Sequence, residues 1–510
     1  MIDRFTGLIK ILGITVLLAI LWGLLAYYVP EKFLVANNIE NLLRRTALFG
    51  FLGIGVAFVI ISSGIDLSIG SLVCMSACTF ALLLHVDYVP VGTTDIWQIR
   101  AEAGTIAVAA DHEFSVGEEV WYYKDKRNKG LVKIVEIGAS ETVEGHAVVV
   151  LKVDPPPKRD ADPKTGKAPG TMASIFNVNS VDKTSVKVES DFPSLKHNDK
   201  IQFVHQSKTA RTTVVDSVSA DGSIEIANED SGLNDTFRAV PIRKTPFMSI
   251  PLALLSVLGI ALLLGIIHGL LITKVNMQPF IVTLCGLLIY RGISRWITND
   301  QTVGFIEYSE SLGEFGRARL ETGLQYKPVK TESWCDFVFD PAEGAEMLGI
   351  SYSFFLFVAA TILAIMFLNL TVWGRHMMAV GRNEEAARYS GINTHRITIL
   401  AYVLCAVLTG IGGVMAGIDS NSIAPSSFGN FFELYAIAAA VLGGCSLRGG
   451  EGSILGVVVG TALMQTLYNL IVLLKIPQEL EFTIIGAVIL IGVAADEVAR
   501  MFAAKFRSKE

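Results

Sequence analysis

Four ionisable side chains, Asp66, His268, Arg291 and Glu433, stand inside stretches that are otherwise apolar. A charge at membrane depth is costly, so such a residue marks a pathway, a relay or a structural brace. Asp66 follows Gly64 in a turn, where its carboxylate can cap a helix that begins near Ser68, a structural role that outweighs direct contact with a transported solute. His268 reads as a histidine satisfied within a helical core. Arg291 lies near a span end, and its long stem lets the guanidinium snorkel to the interface. Glu433 opens an apolar run beside Phe431, Phe432 and Tyr435. A carboxylate among rings suits hydrogen bonding and stacking on a sugar, and an interfacial aromatic belt has the same composition.

Other chemistries lack their residues. The chain has no GxxxxGKS/T phosphate loop, no GxSxG elbow and no HExxH helix. Cys74 and Cys78 are four residues apart with no histidine at ligand spacing, so the cysteines read as small buried hydrophobes, and no metal or cofactor is expected.

A second group lies between two apolar runs, in TVWGRHMMAVGRNEEAARYSGINTHR, Thr371–Arg396. Asn383 is placed to cap a helix whose first turn holds Glu384 and Glu385, followed by Ala386, Ala387 and Arg388, with Gly391 as the stop. The pattern predicts a short amphipathic helix outside the membrane. A plain loop helix explains the charges but not Gly374 and Gly381 before it and Gly391 after it.

The elements that must hold these residues are long apolar runs. Of 510 residues 51% are apolar and 18% charged, with mean hydropathy +0.50 and net charge −6; soluble domains carry about 25% charged residues. The charge is uneven, because 43 of the 90 charged side chains fall in the 158 residues Val89–Pro246. A pI near 5.8 without a dense basic run argues against nucleic-acid binding.

About 20 apolar residues cross a bilayer core of about 30 Å. Ten runs approach that length: Ile11–Val29, Thr46–Ser63, Ser68–Val86, Ser249–Thr273, Pro279–Ile297, Ser351–Leu370, Ile397–Ile418, Leu434–Gly444, Ile454–Leu474 and Phe482–Ala495. The eighth and tenth are short. The expected fold is therefore a polytopic α-helical membrane protein with about ten transmembrane helices and an inserted soluble mainly-β domain. Its divisions are 1–88 (three spans), 89–246 (the insert) and 247–510 (seven spans), the last with a long outer loop at 298–350. With the N-terminus inside, inner segments hold 12 Lys and Arg against 8 in outer ones, most densely from Trp373 to Arg396. Both termini and Thr371–Arg396 then face the cytoplasm and the insert lies outside. Within the insert, WYYKDKRNKGLVKIVEIG, HAVVVLKVD and SVKVES alternate apolar and polar residues as strands do. Two similar FSVGEEV and FPSLKHNDKI starts, separated by the linker Pro155–Gly170, suggest two small repeated barrels or a duplicated sandwich.

The Thr371–Arg396 segment resembles the coupling loop of ABC sugar permeases of the ribose/galactose/xylose family, of the form GRxxxAxGxNxxAAxxSGI. SSGIDLSIGS at Ser62–Ser71 resembles that family's GGIDLSVGS motif, and Thr273–Ser294 and Phe431–Met464 resemble two further blocks, in the family's order. Tyr435 stands where the family commonly has Asp, and the insert has no counterpart.

The resemblance implies a permease subunit of an ABC importer in the bacterial cytoplasmic (inner) membrane. It would pass a monosaccharide delivered by an extracytoplasmic solute-binding protein. It would be driven by cytosolic ABC ATPase subunits and pair with a second permease copy in a homodimer, among membrane lipid. It would itself be no enzyme. Coupling to the ATPase would fall on Gly374, Gly381, Arg382, Asn383, Glu384, Ala386, Ala387 and Gly391, with Asp66, Arg291 and Glu433 as pathway or motif residues. The alternative is an ion- or proton-coupled secondary transporter with an extracytoplasmic sensory domain; intramembrane acids are scarce for that reading.

Overall fold

A computed structural model describes residues 2–90, 93–100, 102–110, 114–125, 128–143, 146–154, 170–174, 176–181, 185–188, 200–205, 208–218, 223–226, 238–305, 308, 312, 319–326, 346–488, 490 and 494. The chain divides into two compact units, Met1–His85 with Met248–Glu510, and Val86–Phe247.

The first unit is helical: α1 (Ile2–Tyr28), α2 (Pro30–Phe33), α3 (Ala36–Ile61), α4 (Ile69–Leu83), α5 (Ile250–Thr273), α6 (Pro279–Ile297), α7 (Tyr352–Leu370), α8 (Val372–Arg382), α9 (Glu384–Tyr389), α10 (Thr394–Ser420), α11 (Phe432–Leu442) and α12 (Ile454–Leu473). Among the described residues six helices, α3, α5, α6, α7, α10 and α12, are long and apolar enough to cross a membrane. The chain is a multi-pass helical membrane protein.

Helix α3 forms the centre of the core, with Phe51, Ile54, Phe58, Val59, Ile60 and Ile61 all buried. Gly55 lets it approach α10, since a Cβ there would stand 3.2 Å from the Cys405 carbonyl. Close approach of this kind replaces the hydrophobic drive that lipid removes. Helices α5, α6 and α7 bury less than a third of their most apolar stretches within the chain and leave Leu255, Leu288 and Leu363 exposed.

Two boundaries differ from expectation. Helix α3 starts ten residues before the apolar run at Thr46, because its polar first turns are held in place. Asn38 and Asn469 exchange amide hydrogen bonds (3.3 and 2.7 Å), Glu40 pairs with Arg319 (2.9 Å) and Arg44 pairs with Asp419. Helix α4 is 15 residues long and α11 is 11, about 22 and 16 Å at 1.5 Å per residue, too short for a core of about 30 Å. The tenth apolar run is helical over 481–488 and lies largely outside the described residues beyond that.

The second unit is β structure. Strands β1 (Val86–Pro90) to β13 (Arg238–Pro246) follow in order, and β1 pairs with β13 from Val86↔Pro246 to Pro90↔Ile242. The register brings the two ends of the insert together. Strands β2 (Thr93–Arg100), β3 (Thr105–Ala109), β4 (Glu119–Asp125), β5 (Asn128–Val143), β6 (His146–Asp154) and β7 (Gly170–Ser174) close a barrel of order β2-β3-β6-β5-β4-β7.

The barrel's core repeats every second residue, as a pleated strand requires: Ile106 and Val108, Val120 and Tyr122, Val132 and Ile134, Val149, Leu151 and Val153. Strands β8 (Phe176–Val181), β9 (Ser185–Val188), β10 (Lys200–His205), β11 (Lys208–Val218) and β12 (Ser223–Ile226) with β13 are hydrogen-bonded in the order β13-β10-β11-β12-β9-β8, and β13 also pairs with β8. The strand order around this second ring matches that of the first. Residues 155–169 of the expected linker lie outside the described residues.

Candidate functional site

Three of the segments that the expected topology assigns to the inner side, the turn at Ser63, the Thr371–Arg396 loop and the turn at Arg448–Gly450, meet at one place. Ser63, in the left-handed region at φ 63°, donates its hydroxyl to the carbonyls of Gly381 (2.8 Å) and Arg448 (3.0 Å). The Gly450 N–H donates to the Ile61 carbonyl at 2.8 Å. Gly381 has to be glycine here, because a Cβ would overlap the Ile61 carbonyl and stand 2.5 Å from the Gly450 nitrogen. Gly449 and Gly450 take φ of 83° and 73°, and a Cβ on Gly450 would stand 2.7 Å from the Arg382 nitrogen.

Helix α8 leads into this junction and α9 leads out of it. The Thr371 hydroxyl caps α8 by accepting from Gly374 N (3.1 Å), and Gly374 packs on the Leu368 backbone where a Cβ has no room. Arg382 ends α8 and is exposed. Asn383 Oδ1 accepts from Ala386 N (2.9 Å), Glu384 and Glu385 occupy the first turn, and Glu384 pairs with Arg388 at 3.3 Å. Gly391, at φ 84°, turns the chain toward α10. Glu384, Glu385, Ala386 and Arg388 are exposed, whereas Ala387 is buried in the core of the bundle. Tyr389, not singled out from the sequence, is 90% exposed at the end of α9. A bare aromatic ring after a buried alanine was the available signal.

Asp66 is buried, and its Oδ1 accepts from both Ser68 N (2.8 Å) and Ser68 Oγ (2.7 Å), fixing the turn from which α4 starts. The neighbouring Ile65 carbonyl accepts from the Tyr402 hydroxyl at 3.1 Å. His268 lies behind this turn, hydrogen-bonded through Nε2 to the Tyr290 hydroxyl at 2.7 Å and packed edge-on against Tyr402.

The short helices α4 and α11 meet at their N-terminal ends. The buried Glu433 carboxylate rests against Gly70, where a Cβ would overlap both Glu433 Oε2 and the Gly429 carbonyl. A carboxylate is favoured there by the partial positive charge of helix N-termini. Residues 421–431, which lead to α11, are irregular, and irregular backbone at membrane depth needs its carbonyls satisfied. Arg291 does this, donating Nη1 to the carbonyls of Pro425 (3.0 Å) and Phe428 (2.6 Å). The expected snorkelling of Arg291 is thereby corrected: its guanidinium turns inward onto two backbone carbonyls, of which Pro425 also accepts from the Cys74 thiol at 3.5 Å.

The other end of this segment is pinned by Asn421 Oδ1, which accepts from Phe305 N (2.9 Å), and by the Val303↔Ile423 bridge. The turn before Val303 is held by Arg295, whose hydrogen bonds to Asp300 (3.0 and 2.7 Å) keep that carboxyl below the usual carboxylate range.

Above the irregular segment lies a cavity of about 390 Å³ between α3, α10, α11 and α12, at the end of α3 away from Ser63. Ring faces from Phe49, Phe428, Phe432 and Phe482 and polar groups from Arg45, Asp419, Tyr435, Gln465 and Glu481 line it. The size falls within the range of about 300–1,000 Å³ usual for small-molecule sites. Tyr435 donates to Glu481 Oε1 at 3.0 Å, and Arg45 lies over the Tyr468 ring at 4.9 Å. Glu433 is not part of this wall; it belongs to the seam between helices.

Residues 232–493 match the model of a family described as branched-chain amino acid transport system / permease component. The match covers half of the chain. The chain belongs to this permease family. It is 34% identical over 246 residues to the ribose import permease protein RbsC of Escherichia coli K12, covering 48% of this chain and 68% of that protein. RbsC of Bacillus subtilis is 33% identical over 229 residues, covering 45% and 62%. The xylose transport system permease protein XylH of Escherichia coli K12 is 29% identical over 285 residues, covering 49% and 72%. No solved structure matches.

Proposed function

We propose that this permease is the membrane subunit of an ABC importer in the bacterial inner membrane and forms the pathway for a monosaccharide. An extracytoplasmic binding protein delivers the sugar, cytosolic ATPase subunits drive its passage, and a second copy of the chain completes the pathway. On a reading of ten membrane segments, the short α4 and α11 among them, both termini and α8–α9 face the cytoplasm and the insert lies outside.

The observation that carries this reading is the junction of Ser63, Gly381 and Gly450. A push on α9 reaches the carbonyl of Gly381 and, through Ser63, the turn that starts α4. That helix abuts α11, whose first turns line the cavity. A rigid coupling helix joined to two short helices beneath an open cavity is suited to alternating access. The ribose and xylose permeases among its relatives support a pentose or similar sugar.

In the complete complex, Tyr389→Ala removes an exposed contact without disturbing the core and should lower transport-coupled ATP hydrolysis about tenfold, the loss expected when an aromatic hot spot of about 1.4 kcal/mol is removed. Unchanged coupled hydrolysis in Tyr389→Ala and in a bulky replacement of Glu384 would overturn the coupling assignment.

A further inference from the structure

The floor of the cavity is a seam between α4 and the irregular segment that precedes α11. Val73 of α4 lines the cavity beside Phe428, Asn430 and Phe432. One turn nearer the Ser63 junction, Gly70 and Gly429 meet backbone to backbone: a Cβ on either would overlap the carbonyl of the other. The buried Glu433 carboxylate closes this contact from the α11 side by accepting from the Gly70 N–H. One side chain thus ties the first turn of α4 to the first turn of α11. The backbone at the seam is strained, with Gly429 at φ 77° and Phe431, a bulky residue, at φ 65°. Strain of this kind persists where neighbouring contacts over-determine it, and it clusters at switch regions. Two left-handed residues within three positions can absorb the φ/ψ change of a hinge. The rest of the segment is anchored away from α4: Arg291 on α6 holds Pro425 and Phe428, while Asn421 and Ile423 are tied to Phe305 and Val303. Movement is thereby concentrated at the seam. Cys74, one turn along α4 from Gly70, is fully buried there and donates its thiol to the Pro425 carbonyl at 3.5 Å.

We propose that the contact of Gly70 with Gly429 is the inner gate of the cavity and that Glu433 is the positioning residue that latches it. The assignment rests on the importer reading above and adds to it the place where the pathway is shut. A push through Ser63 displaces α4, strips Gly70 from Glu433 and parts the seam beneath the cavity, while Arg291 keeps the segment on α6. A carboxylate suits such a latch because it draws on the partial positive charge of two helix N-termini at once and loses one of them when they separate.

Two measurements on the complete complex in proteoliposomes test the gate. The first is efflux of preloaded labelled ribose and xylose without ATP. Glu433→Ala removes the latch and should raise this leak about tenfold, the factor that a loss of about 1.4 kcal/mol gives. Glu433→Gln keeps an acceptor for the Gly70 N–H and should stay near wild type. A residue that only stabilised the fold would change assembly or thermal unfolding without producing a leak. The second measurement uses the wild-type chain and so does not depend on a variant assembling. Modification of Cys74 by a small water-soluble thiosulfonate, read from the mass of its peptide, should be negligible at rest and appear during ATP turnover with the loaded binding protein. Cys74 equally protected in both states, or an assembled Glu433→Ala complex as tight as wild type, would overturn the gate. Absence of ATP-driven uptake of any monosaccharide by the wild-type complex would instead overturn the importer reading on which it depends.

Discussion

Arg291 shows how a costly residue is justified by what it touches. Its two hydrogen bonds reach carbonyls 134 and 137 residues further along the chain, so composition could mark it as exceptional but not reveal its partners. Replacing it with Met should destabilise the protein by about 1–2 kcal/mol, the cost of leaving the Phe428 carbonyl bare and Pro425 with the Cys74 thiol alone, with Lys recovering part of the loss; thermal unfolding in detergent would measure this. A Met variant as stable as wild type would mean that the irregular segment is held by other contacts. Asp66, by contrast, was legible, because a carboxylate three residues before a helix start acts locally on Ser68.

At the scale of elements, helix boundaries followed hydropathy where apolar packing decides them and departed from it where polar partners do. The short helix α9 was readable from Asn383, Glu384 and Gly391 because capping is local. The early start of α3 was not, since it depends on Asp419, Asn469 and Arg319, all distant in sequence. The junction below α3 belongs to the same class: the glycines were visible, but which backbone each admits was not. Gly381→Ala should therefore cost about 1–3 kcal/mol through overpacking and separate the Thr371–Arg396 segment from Ser63. The expected readout is ATP hydrolysis that no longer responds to the loaded binding protein, with the subunits still assembled. A normal response in that variant would show that the stroke does not pass through Gly381.

At the scale of the whole molecule, the uneven charge separates two materials. A helical permease unit carries the family resemblance, and a β unit of Val86–Phe247 is inserted with its two ends zipped together by β1 and β13. Ends held in register let a module be inserted or lost with little strain on its host. The strand pattern of the insert was readable from alternation; the shared order of its two rings needed the pairings themselves. If the insert lies outside, protease added to intact spheroplasts should cut it, and protection there with cleavage in inverted vesicles would reverse the orientation. The account as a whole turns on what powers movement of the solute. The most direct measurement is uptake of labelled ribose and xylose, presented on the binding protein, into proteoliposomes containing the permease, with and without its ATPase subunits and ATP. The account predicts accumulation only when both are supplied, and accumulation driven by an ion gradient in their absence would contradict it.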